Sequence, residues 1–159
     1  SHFSRNDKTE LQLFDPETGS ALQFPDAYDA EILGAIWHDG VLIYMDNYAV
    51  KLLDRTVQTP KVVFQSDTSW RKRGYYYGQI FLEGENLYFT DPETTVVMQY
   101  NLATDTLSET KVSIPDCQEM AVLNGCVYWV DDGILSGLAT VSIGNLSTGE
   151  TTTVQCAAW

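Results

Sequence analysis

The amino-acid sequence predicts an all-β fold built from repeated units, and three observations support this prediction. A turn glycine followed by an apolar, aromatic run that ends at an aspartate occurs three times, at residues 40–46, 84–91 and 125–131. The closing aspartates recur at intervals of about 40 to 45 residues. A repeat of this length, with four strands in each repeat, is typical of a β-propeller. No window of about 12 residues shows the 3.6-residue period of an amphipathic helix.

The turns between the apolar runs define hairpins, and pairs of hairpins define four-stranded blades. Asp39-Gly40 and Asn124-Gly125 each separate two apolar runs, which is a strong signal for a two-residue hairpin turn. The sequence therefore predicts a partial β-propeller of about three and a half four-stranded blades. The predicted segments are a disordered or vector-derived N-terminus at 1–10 and a propeller region at 11–159, with a half blade at 11–25 and full blades at 33–65, 75–114 and 118–155.

The composition limits the classes of partner. The formal net charge is −13, whereas nucleic acids and anionic membranes require concentrated positive charge. No apolar run approaches the roughly 18 residues that span a bilayer. We therefore expect neither a nucleic-acid partner nor membrane insertion.

One basic, aromatic segment is the candidate ligand site. It contains three of the nine Lys and Arg residues of an acidic chain, and it joins the outer strand of one blade to the inner strand of the next. Arg, Trp and Tyr are the side chains that dominate binding hot spots. The predicted ligand-binding residues are Trp70, Arg71, Lys72, Arg73, Tyr75 and Tyr76. In the alternative interpretation, the tyrosines belong to the next inner strand and the cations balance nearby carboxylates.

Two further groups of residues are candidates for metal or catalytic sites. Asp46, Asp91, Asp131 and Asp132 end equivalent strands, and carboxylates that converged there could hold Ca²⁺. Alternatively, each aspartate caps its own turn by hydrogen bonds to the backbone. His38 adjoins a hairpin turn and has no cysteine or second histidine near it in sequence. We predict no metal, no cofactor and no catalytic residue in this chain.

The repeats resemble the YWTD repeats of low-density-lipoprotein-receptor propellers and those of bacterial surface and periplasmic propellers. The segments 88–91 (Tyr-Phe-Thr-Asp) and 128–131 (Tyr-Trp-Val-Asp) match best, and 43–46 (Ile-Tyr-Met-Asp) matches more loosely. The resemblance implies an extracellular or cell-surface binding scaffold, usually of six or more blades. In that family the aromatic residues pack between blades and the aspartate organises a turn.

The number of blades predicts an assembly. About three and a half blades cannot close a ring of ordinary size, and exposed apolar blade faces mark interaction surfaces. We expect either a homodimer or the remainder of a larger propeller to cover the ends. The predicted function is a non-catalytic, extracytoplasmic ligand-binding module that recognises a protein or a glycan. The alternatives are a fragment of a propeller enzyme, such as a lyase or a glycan-active enzyme, and a purely architectural assembly module.

Overall fold

The structure of the chain is a computed structural model, and it confirms the all-β prediction. The fourteen strands within the described residues form antiparallel sheets, and the helical structure there is limited to one 3-10 turn at Arg71–Arg73. The predicted N-terminal segment 1–10 lies outside the described residues. The structure describes residues 13–14, 18–22, 32–54, 56–57, 59–73, 79–115, 120–133 and 138–157.

The strands form one short hairpin and three four-stranded sheets, which we call blades 1 to 3. Within each blade the strands pair in chain order, as in a meander. The hairpin consists of Leu13–Phe14 (β1) and Ala21–Leu22 (β2). Blade 1 consists of Ile32–His38 (β3), Val41–Asp46 (β4), Ala49–Asp54 (β5) and Lys61–Gln65 (β6). Blade 2 consists of Phe81–Glu83 (β7), Asn86–Thr90 (β8), Val96–Asn101 (β9) and Thr106–Ser113 (β10). Blade 3 consists of Met120–Leu123 (β11), Cys126–Gly133 (β12), Leu138–Asn145 (β13) and Thr151–Ala157 (β14).

The first hairpin of blades 1 and 3 closes through the turns that the sequence predicts. Asp39 and Gly40 have φ angles of 47° and 77°, and Asn124 and Gly125 have φ angles of 50° and 71°. Two consecutive positive φ angles define a type I′ turn, whose twist matches that of the flanking strands. Asp, Asn and Gly tolerate this left-handed region best, so the local sequence fixes the register of these hairpins.

The blades stack face to face, and the second strand of blade 2, β8, contributes to both interfaces. In β8, Leu87 and Phe89 face blade 1, whereas Tyr88 faces blade 3, because successive side chains of a strand point to opposite faces. The buried core between blades 1 and 2 consists of Ile43, Met45, Val50, Trp70, Ile80, Leu87, Phe89, Met98 and Tyr100. The buried core between blades 2 and 3 consists of Tyr88, Val97, Val112, Ile114, Met120, Val127, Trp129 and Leu146.

Antiparallel order gives the stack two distinct ends. The turns that join the second and third strands lie at one end together with the connections between blades, and we call this the loop end. The opposite end carries the turns that join the first strand to the second and the third strand to the fourth, and we call this the hairpin end.

At the hairpin end, Lys61 of blade 1 forms an ion pair with Asp105 of blade 2, which also accepts a hydrogen bond from Tyr100. These partners hold the pKa of Asp105 below its ordinary value of 3.8, and burial raises the pKa of Tyr100.

Candidate functional site

The connection from blade 1 to blade 2 is fixed at the loop end by backbone hydrogen bonds. The N–H of Ser66 donates to the carbonyl oxygen of Tyr48 at 2.8 Å, and the N–H of Trp70 donates to that of Asn47 at 3.1 Å. Asn47 and Tyr48 lie in the turn between β4 and β5, so the connection is attached to the turn of its own blade. The basic segment therefore begins from an ordered support.

Trp70, one of the predicted ligand-binding residues, lies in the core. Its side chain is 1% exposed, and its indole N–H donates to the carbonyl oxygen of Thr90 in blade 2 at 2.8 Å. Its ring lies 5.9 Å from that of Phe64, which in turn lies 5.1 Å from the ring of Phe89. Trp70 thus joins blades 1 and 2, and a ligand at the surface cannot contact its ring in this arrangement.

Arg73 is exposed, but its guanidinium contacts blade 2. The Nε group donates to the carbonyl oxygen of Pro92 at 3.0 Å, and Nη2 donates to that of Glu93 at 3.3 Å. Both carbonyl groups belong to the turn between β8 and β9. Arg73 therefore attaches the connection to blade 2, and this role does not depend on a ligand.

Arg71 and Lys72 are exposed in the 3-10 turn between these two attachment points. Tyr48, in the turn that anchors the connection, is 46% exposed. We call Tyr48, Arg71 and Lys72 the loop-end surface. The predicted ligand-binding residues did not include Tyr48. Its position in the turn that follows the strand ending at Asp46 could have indicated that it lies at the loop end. Tyr75 and Tyr76 lie outside the described residues.

Asp46 and Asp91 cap turns, as in the alternative that the sequence left open, whereas Asp131 and Asp132 lie within β12 and do not end it. Oδ1 of Asp46 accepts the N–H groups of Tyr48 and Ala49, both at 2.8 Å, and Oδ2 lies 3.0 Å from Nζ of Lys51. Oδ1 of Asp91 accepts the N–H of Glu93 at 2.8 Å. In the part of the chain that the structure describes, neither Asp46 nor Asp91 belongs to a group of three side chains that could hold a metal ion. The side chains of Asp131 and Asp132 lie outside the part that the structure describes.

His38 lies at the hairpin end, close to two carboxylates. Its Nε2 atom is 3.4 Å from Asp39 and 3.8 Å from Glu85. A histidine and carboxylates on the ligand-binding face would favour the enzyme alternative. This group lies at the end opposite to the loop-end surface, and so it does not provide that support.

Blade 3 has an apolar face that points away from blade 2 and is partly exposed. In β12, Tyr128 and Val130 point away from blade 2, because Val127 and Trp129 point towards it. We call this the distal face. It includes Leu123, Tyr128, Val130, Val141, Ile143 and Val154.

Exposure shows how the distal face differs from the equivalent faces of blades 1 and 2. Met45, Thr90 and Val130 each directly precede the aspartate of their repeat. Met45 is 1% exposed and Thr90 is 3% exposed, and each faces the following blade. Val130 is 42% exposed. The distal face therefore has the position and the chemistry of an interface between blades.

Comparison with known proteins identifies the fold. No protein-family model and no curated protein matches this sequence. Among solved structures, the chain is similar to a chain of a nidogen/laminin complex, with 14% sequence identity, a TM-score of 0.53, and coverage of 86% of this chain and 52% of that chain. The fold is that of a β-propeller. No helix in the described part of the chain is long and apolar enough to cross a membrane.

Two further solved structures are similar at lower scores. They are the N-terminal domain of Nup159 and an S. cerevisiae assembly in which Dbp5 is bound to Nup159 and Gle1. Each has 10% sequence identity, a TM-score of 0.46 and coverage of 80% of this chain. The chain spans 31% and 30% of these two chains, and so it corresponds in length to about a third to a half of the structures that it matches.

Proposed function

We propose that this chain is a non-catalytic, extracytoplasmic binding module of YWTD type that recognises a protein, with a glycan as the second ligand class. The observation that supports this proposal is the loop-end surface. It presents an aromatic side chain from the turn between β4 and β5, and two cations from a connection that is hydrogen-bonded to both neighbouring blades. Preorganised side chains lose less conformational entropy on binding than side chains on a mobile loop.

The chemistry of the loop-end surface favours a protein ligand with acidic groups. Tyr and Arg are enriched at the centres of protein interfaces, and the guanidinium of Arg71 can bind a carboxylate through two hydrogen bonds. The nidogen/laminin complex provides an example of this fold within a protein complex.

The proposed location outside the cytoplasm rests on the resemblance of the repeats. Cell fractionation tests this location, and recovery of the chain in the cytoplasmic fraction would contradict it.

The ligand site can be tested by crosslinking followed by a binding measurement. A photo-reactive amino acid at position 48 should capture a protein, which is then purified and titrated against the wild-type chain. We expect the double replacement Arg71→Ala and Lys72→Ala to raise the Kd at least about tenfold, as loss of a hot spot does. Lys111→Ala, which removes an exposed cation from β10, should leave the Kd unchanged. Equal Kd values for the wild type and the double variant would contradict the proposed site.

The distal face supports a second candidate function, in which the chain is an assembly module. Its apolar residues require cover from another blade, supplied either by a second copy or by the remainder of a longer polypeptide. Light scattering over a tenfold dilution measures self-association. Replacement of Tyr128 and Val130 by Lys should yield a monomer if a second copy supplies the cover, whereas Thr153→Lys, on the opposite face of β14, should not. A wild-type monomer at every concentration would exclude the homodimer.

A further inference from the structure

A histidine and two carboxylates meet at the hairpin end, between blades 1 and 2. His38 ends β3, Asp39 begins the following turn, and Glu85 lies in the turn between β7 and β8. Nε2 of His38 lies 3.4 Å from Oδ2 of Asp39 and 3.8 Å from Oε1 of Glu85. One ligand atom from each residue lies within 4.8 Å of those of the other two.

The Nε2 atom of His38 has no hydrogen-bond partner among the described residues. Nε2 of His38 exposes less than 1 Å² to solvent and forms no hydrogen bond with any residue that the structure describes. Buried polar atoms in folded proteins are nearly always paired, so an unpaired one requires a reason, and a bound ion is among the usual reasons. The nitrogen also faces the two carboxylates, which is the arrangement that a metal ion would use.

The equivalent position of the next interface shows that this arrangement is particular to blades 1 and 2. Glu83 ends β7 as His38 ends β3. Its carboxylate accepts the N–H groups of Asn124 and Gly125, in the turn of blade 3, at 2.6 and 3.1 Å. That interface is therefore closed by hydrogen bonds between a side chain and the backbone. The interface between blades 1 and 2 has a nitrogen and two anionic groups at the same place.

We propose that His38, Asp39 and Glu85 bind one divalent transition-metal ion, for which Zn²⁺ is the representative. Zn²⁺ binds imidazole nitrogen and carboxylate oxygen at about 2.0 to 2.2 Å, so tetrahedral ligand atoms lie about 3.4 Å apart. The two nitrogen-to-oxygen distances, 3.4 and 3.8 Å, are already close to this value. The side chains of Asp39 and Glu85 are 85% and 51% exposed, which allows their carboxylates to rotate without backbone movement.

The ligand set and the charge indicate the class of ion. An imidazole ligand favours Zn²⁺ and its neighbours in the first transition row over Ca²⁺ and Mg²⁺, which prefer oxygen. Three protein ligands leave a fourth position for water on the exposed side of a tetrahedral site. A divalent cation also offsets the repulsion between the two carboxylates in a chain with a net charge of −13. Because the ligands come from two blades, the bound ion would join blade 1 to blade 2.

Zinc titration of the full chain tests this site. His2 is the only other histidine, so the measurements use a His2→Ala background, in which His38 is the sole imidazole. Isothermal titration with ZnCl₂ should give one ion per chain, and the Tm should rise with zinc concentration. The spectrum of the Co²⁺ complex should lack a thiolate-to-cobalt charge-transfer band, because the proposed ligands include no cysteine.

Single replacements of the ligands decide the outcome. We expect His38→Gln to abolish saturable binding, and Asp39→Asn and Glu85→Gln each to raise the Kd about tenfold or more. Glu93→Gln removes an exposed carboxylate at the loop end and should leave the Kd unchanged. Circular dichroism of the metal-free variants should match that of the wild type. The proposal is wrong if no binding occurs at millimolar zinc, if His38→Gln keeps the wild-type Kd, or if the cobalt spectrum shows a thiolate ligand.

Discussion

Replacement of Trp70 by Phe tests whether this residue joins two blades or contacts a ligand. The indole is 1% exposed and belongs to the core between blades 1 and 2, where it lies next to Phe64. A phenylalanine keeps an aromatic ring at the position and keeps the backbone hydrogen bond to Asn47. It removes the indole N–H that donates to Thr90.

Two losses determine the expected magnitude. A hydrogen bond between neutral groups contributes about 1 kcal/mol net to stability. The smaller ring leaves a cavity beside Phe64, and partial loss of a buried aromatic side chain costs about 1 to 2 kcal/mol. We therefore expect Trp70→Phe to lower the free energy of unfolding by about 2 to 3 kcal/mol.

Urea unfolding followed by far-ultraviolet circular dichroism measures this change, at one protein concentration and with linear extrapolation. Trp37→Phe is the matched control, because Trp37 is 40% exposed and its replacement should change stability by less than about 0.5 kcal/mol. If Trp70→Phe also changes stability by less than about 0.5 kcal/mol, the indole does not stabilise the interface and our reasoning is wrong.

Replacements at three further positions test the turns and the contacts between blades. Gly144→Ala should destabilise the fold by about 1 to 3 kcal/mol in urea unfolding, because its Cβ would lie 2.9 Å from Cγ1 of Val112 in blade 2. Asp46→Ala leaves two N–H groups of its turn without their acceptor and should cost about 2 kcal/mol, whereas Asp46→Asn keeps the acceptor, loses only the ion pair with Lys51, and should cost less than Asp46→Ala. Because the pKa of Asp105 is lowered, its ion pair with Lys61 stabilises the fold above the unfolded pKa of about 3.8, and this contribution is lost as the pH falls through the folded value. The stability difference between the wild type and Asp105→Asn should therefore shrink between about pH 5 and pH 2, and a constant difference would contradict the ion pair.

Local sequence was sufficient to predict the hairpins and their register. Asn124-Gly125 can adopt two consecutive positive φ angles, which places Leu123 opposite Cys126, as the structure shows. The same local chemistry allowed the prediction that Asp46 could cap its own turn, because a side-chain oxygen two residues before an N–H is within reach of it. These features depend on a few consecutive residues, so no knowledge of the tertiary structure was needed.

Predictions that depend on contacts between blades were less complete. Trp70 and Arg71 are adjacent in sequence, but the first is buried between blades and the second is exposed. Composition gives both residues the same preference for binding sites. The indole turns inward because Thr90 of blade 2 accepts its N–H and because its ring packs in the core between blades 1 and 2. The approach of Glu85 to His38 likewise depends on how two blades stack.

The distal face of blade 3 leads to a prediction about ionic strength. Apolar residues such as Tyr128 and Val130 favour association of two copies, whereas the net charge of −13 on each copy opposes it. Salt shortens the screening length from about 10 Å at 0.1 M to about 3 Å at 1 M, so it weakens the repulsion and leaves the apolar attraction. If a second copy covers the distal face, light scattering should show that the dimer fraction rises with sodium chloride, and that replacement of Tyr128 by Lys abolishes the rise. If the rise persists in that variant, association uses another surface and the assembly proposed for the distal face is wrong.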